Sequence, residues 1–322
     1  MTLKIPRVSI GVPVYNGENY LEQGLRSLLD QTFEDFEIII SDNASTDSSG
    51  DIALRYQAFD PRIRYSRNQL NIGPVANFNR LFELARGEYF LWAPHDDQFS
   101  RTYLEECVRI LDIDPEIVLC HSDTAIIDDR GNVVRTIRSR LRTDSRHVHV
   151  RFRDLLEDYM CYEMFGVIRS NALRTTRLVG NYGHADGILL AELGLIGRFY
   201  HIPECHYFNR VHAGKSVKNY KSYREYTVWL NPSKAGKILL PRWRMGYEYV
   251  RAVSRARLSA VDRLRCHLQM GHWVRVFWKS LAWNLVVALR DLVTWPLRRR
   301  IGSPRQEDAP AATVPTGTSN VK

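Results

Sequence analysis

Cysteine is scarce and unpatterned in this chain. Cys107, Cys120, Cys161, Cys205 and Cys266 lie scattered among 322 positions with no C-x-x-C pair. That spacing supplies neither a disulfide framework nor a zinc site, and it favours a reducing, cytoplasmic setting. Long apolar runs are missing too. After Lys4 and Arg7 the stretch 8–14 is short and carries Gly11 and Pro13, so it reads as a buried first strand rather than a secretory signal. In the apolar segment 273–295 the longest charge-free stretch, 280–289, is too short to cross a bilayer core. No internal repeat is visible. Neither a G-x-x-x-x-G-K-S/T loop nor a G-x-G-x-x-G turn occurs, which removes the main support for P-loop and dinucleotide-binding readings.

What is present is a globular composition with unevenly placed charge. A hydrophobic fraction of 44% in a chain of this length builds a substantial core without disulfides. The net charge is +9, yet residues 242–300 alone carry thirteen Lys or Arg against Glu248, Asp262 and Asp291, which leaves the remainder near neutral. A basic region on a neutral body suggests an anionic surface as partner, membrane lipid or nucleic acid. The plainer reading is a solvated helical face.

Up to about residue 120, strand and helix signals alternate as in a parallel α/β sheet. Strands are expected over 8–14, 37–41, 63–66, 89–92 and 117–121, and helices over 20–29, 48–59, 74–85 and 101–112. Pro74 at a tolerated first-turn position and Gly87 bracket the third helix. Further on, 128–132 has hairpin-turn residues, 152–159 and 171–177 read as short helices around a strand at 165–168, and 185–193 as a helix. Strands follow at 199–202 and 206–209; from about Met245 the chain is helical and basic, and 303–322 reads as disordered.

Ligands of such a sheet bind outside the carboxyl ends of its strands. There the first strand ends in Pro13-Val14-Tyr15-Asn16-Gly17-Glu18 and the second in Asp42-Asn43. The third runs into Asn68-Gln69-Leu70-Asn71-Ile72-Gly73, and the fourth into Pro94-His95-Asp96-Asp97. Each could be turn chemistry alone; acids, amides and a tyrosine on one rim are harder to dismiss. The adjacent carboxylates Asp96 and Asp97 repel unless a cation sits with them. A hard divalent ion, Mg²⁺ or Mn²⁺, completed by phosphate oxygens and water, answers that need. Helix N-capping by Asp97 is the competing explanation.

In this order the segments SIGVPVYNGENYL, IIISDNASTD, NIGPVANFN and GEYFLWAPHDD resemble the family-2 inverting glycosyltransferases of GT-A fold. The match covers roughly residues 7–125, with a weaker continuation to about 212. The resemblance implies a nucleotide-sugar donor and a metal-assisted transfer. Pro13, Tyr15, Asn16 and Glu18 would line the nucleotide pocket, and Asp42 would hydrogen-bond the base, a uracil or thymine imide. Asn71 and Asn77 would add amide contacts to the donor. Asp96 and Asp97 would hold ribose and metal–diphosphate between them, the division left open, with His212 as a metal or phosphate contact. The departures are Pro94 where an acid often opens the motif, Asn43 for a second acid, and Phe78 for a frequent arginine.

The family's base is an acid near the start of a helix in the second half, which places Asp186 of Gly183-His184-Ala185-Asp186-Gly187 in that role. It would take the acceptor hydroxyl's proton as the oxygen attacks the anomeric carbon; an N-cap aspartate is the alternative. His95, His121 and His184 shape the acceptor side or satisfy local hydrogen bonds. Arg210-Val211-His212 and the Lys215-Ser216 stretch would close over the diphosphate as a lid.

At helical spacing Val274, Trp278, Leu281, Leu285, Leu289 and Leu292 share one face, with Arg275, Lys279 and Arg290 on another. Trp273, Trp283, Trp295 and the Arg298-Arg299-Arg300 cluster complete the pattern of a helix lying in an anionic lipid interface. Packing against the catalytic domain or a second subunit is the other reading.

The expected fold class is α/β: a GT-A, Rossmann-like, mostly parallel sheet flanked by helices, with a C-terminal helical appendage. A catalytic domain over 1–240 divides into a nucleotide-sugar half (1–125) and an acceptor half (126–240), followed by a basic amphipathic helical region (241–301) and a tail (302–322). The expected activity is inverting transfer from a UDP- or dTDP-type sugar to a hydroxyl of a glycan or lipid-linked acceptor, in bacterial polysaccharide biosynthesis at the inner face of the membrane. A sugar-nucleotide pyrophosphorylase would need a G-G-x-G-T-R-L-like loop, which 12–17 is not. The alternatives are a catalytically impaired sugar-nucleotide binder or scaffold, given Pro94 and Asn43, and a basic nucleic-acid-binding protein. No nucleic-acid partner is expected.

Overall fold

The computed structural model describes residues 5–157, 159–214 and 222–300, with side chains described as far as 293. The Lys215-Ser216 part of the expected lid, the Arg298–Arg300 side chains and the 302–322 tail lie outside the described residues.

Four strands form the parallel heart of the sheet: β1 (Val8–Val14), β2 (Phe36–Asp42), β3 (Ile63–Arg67) and β4 (Tyr89–Trp92), in the spatial order β3-β2-β1-β4. Every residue of β1, β2 and β4 is buried, because helices cover both faces, and this is why these strands read as continuous apolar runs. The crossovers are α1 (Leu21–Leu29), α2 (Ser49–Phe59) and α3 (Pro74–Leu84). Helix α1 turns Leu21, Leu25 and Leu28 inward. At Gly24 it comes so close to the loop after β4 that a Cβ would lie 2.7 Å from the His95 carbonyl oxygen. Helix α3 starts at Pro74 after Gly73, whose φ of 84° no other residue adopts cheaply.

Beyond β4 antiparallel ladders join the parallel ones. A two-residue strand β5 (Gln98–Phe99) precedes α4 (Tyr103–Ile113). Then come β6 (Ile117–Ile127), β7 (Val133–Ile137), α5 (Val148–Asp154), β8 (Val167–Arg169) and α6 (Ser170–Arg174). Helix α7 (Ala185–Ile196) leads into β9 (Arg198–Arg210). The ladders β4–β8, β8–β6, β6–β7 and β9–β5 are antiparallel, and among the described residues only β6–β9 adds a parallel pair. Strand β9 replaces the two separate strands expected at 199–202 and 206–209. Its register against β6 jumps from Ile202↔Ser122 to Cys205↔Asp123, so Pro203 and Glu204 are accommodated as an irregularity rather than a break. Helices α5 and α6 begin earlier than periodicity suggested, and both are short.

The C-terminal helices, α9 (Pro241–Arg255) and α10 (Ala260–Arg300), follow α8 (Tyr223–Leu230). Met245, Tyr249, Ala252 and Val253 of α9 join Cys266, Met270, Trp273 and Leu281 of α10 in one core with Phe152 and α7. The hydrophobic core therefore runs across the expected boundary at residue 240. Trp273 and Leu281 face protein, not solvent, which corrects their place on a lipid-facing surface. Val274, Trp278, Leu285, Leu289 and Leu292 do remain exposed, together with Val276, Trp283, Val286 and Val293. Among the described residues no helix is long and apolar enough to cross a membrane.

Candidate active site

The loops after β1 and β2 lace together at the carboxyl rim of the sheet. Asn16, at φ 51°, accepts the Thr46 N–H at 2.8 Å through its side-chain oxygen, while its own N–H donates to Ser45 Oγ at 3.0 Å. The Gly17 N–H donates to Ser49 Oγ at 2.8 Å, and a Cβ at Gly17 would lie 2.4 Å from the His95 ring. Glu18 accepts the Ser48 N–H at 3.0 Å. Asn16 and Glu18 thus shape the rim by holding its two loops in register. Pro13 is buried beneath them, and the Tyr15 ring stands 47% exposed above it.

Asp42 is fully buried at the end of β2. Its Oδ2 accepts from Tyr65 Oη at 2.7 Å and Arg67 Nη1 at 2.9 Å, and its Oδ1 accepts the Ser45 N–H at 2.8 Å. Its register partner across the ladder is Arg67, so side-chain alternation along β3 brings Tyr65 and Arg67 to one face beside it. That pairing was readable only after the register was known.

Asn77 is a correction. Its amide is buried and tied at both ends: Oδ1 accepts from Ser41 Oγ at 2.7 Å and Asn68 Nδ2 at 3.0 Å, and Nδ2 donates to the Ser41 carbonyl at 2.9 Å. It fastens α3 to β2 and is not turned to the rim. Asn71, which is exposed, accepts from Asn43 Nδ2 at 2.8 Å and orders the turn into α3.

The two acids after β4 part company. Asp97 is only 1% exposed and turned into β9. Its Oδ1 accepts the Arg210 N–H at 2.7 Å; its Oδ2 accepts from Asn209 Nδ2 at 3.1 Å and from the Tyr207 hydroxyl. Burial beside this carboxylate pushes the Tyr207 phenol well above its ordinary range. Asp97, expected as a metal ligand beside Asp96, has its lone pairs engaged by the end of β9. Asp96 faces the other way, and its Oδ2 lies 3.0 Å from His212 Nε2. The His212 ring packs at a tilt of 46° against Tyr20, centroids 4.7 Å apart. A carboxylate oxygen and an imidazole nitrogen converging from two separate segments fit a divalent ion that accepts mixed O and N ligands. Asp96, His212 and Asp97 share one neighbourhood because β9 ends against the loop after β4.

Arg210 does not serve as a lid. It is completely buried and donates to the carbonyls of Asp96 at 2.9 Å and of Asp128 and Asp129 at 3.1 Å, and to Gln23 Oε1 at 3.0 Å. Its guanidinium knits the loop after β4 to α1 and to the β6–β7 turn.

Asp186 lies in the first turn of α7, its side chain 35% exposed, with Oδ1 accepting the Gly187 N–H at 2.9 Å. The loop preceding α7 is anchored to α3: Asn79 Nδ2 donates to the Val179 carbonyl at 3.0 Å, and the Val179 N–H returns to Asn79 Oδ1 at 3.1 Å. Residues missed from the sequence are Tyr207 and Asn209, two apart on one face of β9. The alternation was there, but Asp97 as their common acceptor was not.

The profile of Glycosyl transferase family 2 matches residues 9–181, from the second residue of β1 past β8, and takes in the rim residues up to Asp97. An uncharacterized glycosyltransferase of Haemophilus influenzae is 32% identical over 142 residues, 44% of this chain and 56% of that protein. The GalNAc(5)-diNAcBac-PP-undecaprenol beta-1,3-glucosyltransferase of Campylobacter jejuni is 27% identical over 243 residues, 75% of this chain and 76% of that one. The chain spans from about a fifth to just over half of the length of several other curated relatives it matches. Among solved structures, S. aureus TarS residues 1–349 in complex with UDP-GlcNAc superposes with a TM-score of 0.56 at 16% identity, covering 94% of each chain. The same region in complex with UDP gives 0.59 at 17% identity over 85% of this chain and 72% of that one. These likenesses establish the GT-A fold.

Proposed function

Because the chain belongs to glycosyl transferase family 2, we propose that it moves a sugar, with inversion, from a nucleoside-diphosphate donor to a hydroxyl of a glycan or lipid-linked acceptor. The observation that carries this reading is the meeting of Asp96 and His212 at the carboxyl rim, beside the laced loops of β1 and β2. On this reading Tyr15 covers the nucleotide base, Asp42 fixes the base edge through the loop it organises, and Asn71 borders the donor. Asp96 and His212 hold Mg²⁺ or Mn²⁺, and a metal bound there would neutralise charge growing on the leaving diphosphate. Asp97 positions Asp96 and the end of β9. Asp186 takes the acceptor proton from the face opposite the diphosphate. A uridine or thymidine diphosphate sugar is the favoured donor, and the Campylobacter relative's polyprenol-linked substrate supports a lipid-linked acceptor.

The test is thermal denaturation with UDP, GDP, CDP and dTDP sugars, with and without Mn²⁺. A ligand at a hundredfold excess over its Kd stabilises by about 2.7 kcal/mol, so the true donor raises Tm, more strongly with the metal. Stabilisation by none of them would sink the donor assignment; stabilisation without any transfer to acceptor would favour a scaffold.

We also place the protein at an anionic membrane surface through α10. Val274, Trp278, Leu285, Leu289 and Leu292 are exposed on a helix that carries Arg275, Lys279 and Arg290. Apolar side chains enter the acyl boundary while cations meet lipid phosphates. Since Trp273 and Leu281 belong to the core, the test is surface substitution rather than truncation. The protein is expected to co-sediment with anionic but not neutral liposomes, and Trp278→Glu with Leu285→Glu to release it. Binding that survives both changes rules out this face.

A further inference from the structure

Behind the proposed base lies a cluster of different chemistry from the Asp96–His212 pair. Cys161, His184 and Asp186 each present one ligand atom, and these three atoms lie within 4.8 Å of one another. They come from two segments, the residue before the turn of helix Tyr162–Phe165 and the start of α7. Cys161 and His184 are nearly buried, at 3% and 5% exposure, whereas the Asp186 side chain reaches solvent. Both buried residues hold a left-handed backbone, φ 54° at Cys161 and 64° at His184, which costs roughly 1–3 kcal/mol each outside glycine. Two such costs at adjoining positions mark a constrained arrangement. The His184 ring also lies against Gly187, where a Cβ would come within 2.2 Å of Nε2, so the absence of a side chain at 187 gives the ring its place. Tyr159 and Tyr223 flank the ring edge-on, at 6.3 and 6.2 Å.

We propose that Cys161, His184 and Asp186 form a second metal site, selective for a thiophilic ion of the Zn²⁺ class, whose occupation takes Asp186 away from the acceptor. Sulfur, imidazole nitrogen and one carboxylate oxygen are a zinc donor set, with the fourth position open toward solvent beside Asp186. Zinc bonds of about 2.0–2.3 Å set tetrahedral ligand atoms roughly 3.5 Å apart, and the three atoms here lie within 4.8 Å of one another. As the sulfur–metal bond forms, the thiol proton leaves to solvent. A thiolate and a carboxylate then balance the doubly positive ion, so the buried site is formally neutral. Oxygen-preferring Mg²⁺ gains little from sulfur, so the activating and the blocking ion are sorted by ligand softness. The binding claim stands by itself; the inhibitory consequence rests on Asp186 being the base.

The experiment uses the full chain, stripped of metal and kept reduced, titrated with Co²⁺ as a spectroscopic stand-in and back-titrated with Zn²⁺. A thiolate-to-cobalt charge-transfer band is expected, displaced by Zn²⁺, retained in Asp96→Asn and lost in Cys161→Ser. His184→Asn is the second variant, expected to weaken zinc binding by roughly tenfold or more. Zinc inhibition of transfer in Mg²⁺, each variant measured against its own zinc-free rate, should shift by a similar factor. No band, or a band that survives Cys161→Ser, overturns the site. A band without inhibition upholds the site and overturns Asp186 as the base.

Discussion

Asp186→Asn is expected to lower turnover by at least about 10² while leaving donor affinity unchanged. Asparagine keeps the shape and the oxygen that accepts the Gly187 N–H, so the first turn of α7 survives the change. What it lacks is the capacity to take a proton. On the proposed reading the exposed part of the side chain receives the acceptor hydroxyl, and the donor contacts Tyr15, Asp42, Asn71 and Asp96 come from the first half of the chain. Steady-state kinetics against donor and acceptor separately decide the matter. A variant that loses donor binding would make Asp186 a donor contact, and one with intact turnover would make it a helix cap only.

The second large effect separates the two acids after β4. Asp96→Asn should abolish transfer and the metal-dependent part of donor stabilisation, with the melting temperature of the ligand-free protein little changed, because asparagine keeps an oxygen that can still meet His212 Nε2. EDTA should reproduce that loss in the unaltered protein, and added Mn²⁺ should restore it. Asp97→Asn should behave differently. Asparagine offers one acceptor oxygen where the buried carboxylate serves the Tyr207 hydroxyl, Asn209 and the Arg210 N–H. One donor then faces an amide hydrogen, a loss on the order of 2–4 kcal/mol. For a chain of 322 residues that lowers Tm by roughly 3–6 °C. Calorimetry of both variants is the check. If Asp97→Asn melts normally yet loses its response to metal, the roles of the two acids are exchanged.

Sequence reading went furthest in the first half for a physical reason. Strands β1, β2 and β4 are buried on both faces, so they are unbroken apolar runs, and the polar residues at their ends stand out against them. Adjacent acids cannot be told apart in the same way. Asp96 and Asp97 are equal as letters, and only the arrival of β9 determines that one meets His212 and the other Tyr207. Strand β9 itself was hidden by Pro203, which interrupts the local pattern but not the ladder. Asn77 was legible as a polar residue in a helix, yet its direction depends on Ser41 and Asn68 across the sheet. For α10, period 3.6 announces an apolar face, but the amphipathic pattern is wide enough that Leu281 is core while Leu285 is exposed. Which part of a broad apolar face is covered is decided by the partner, here α9.

The bonds that Arg210 makes carry a consequence for how the molecule comes into being. Its guanidinium joins Gln23, 187 residues earlier, and its backbone N–H closes on Asp97, 113 residues earlier. During synthesis the first four strands emerge and can pair long before β9 exists. Until then Asp97 is a carboxylate in search of donors that have not yet been translated. Contacts of such sequence separation form late and slowly, since the loop they close must be ordered before they return any stability. The nascent chain therefore has an unfinished corner beside Asp97 until Arg210 has cleared the ribosome. A growing polypeptide thus pairs its first four strands early and closes the corner around Asp97 and Arg210 last.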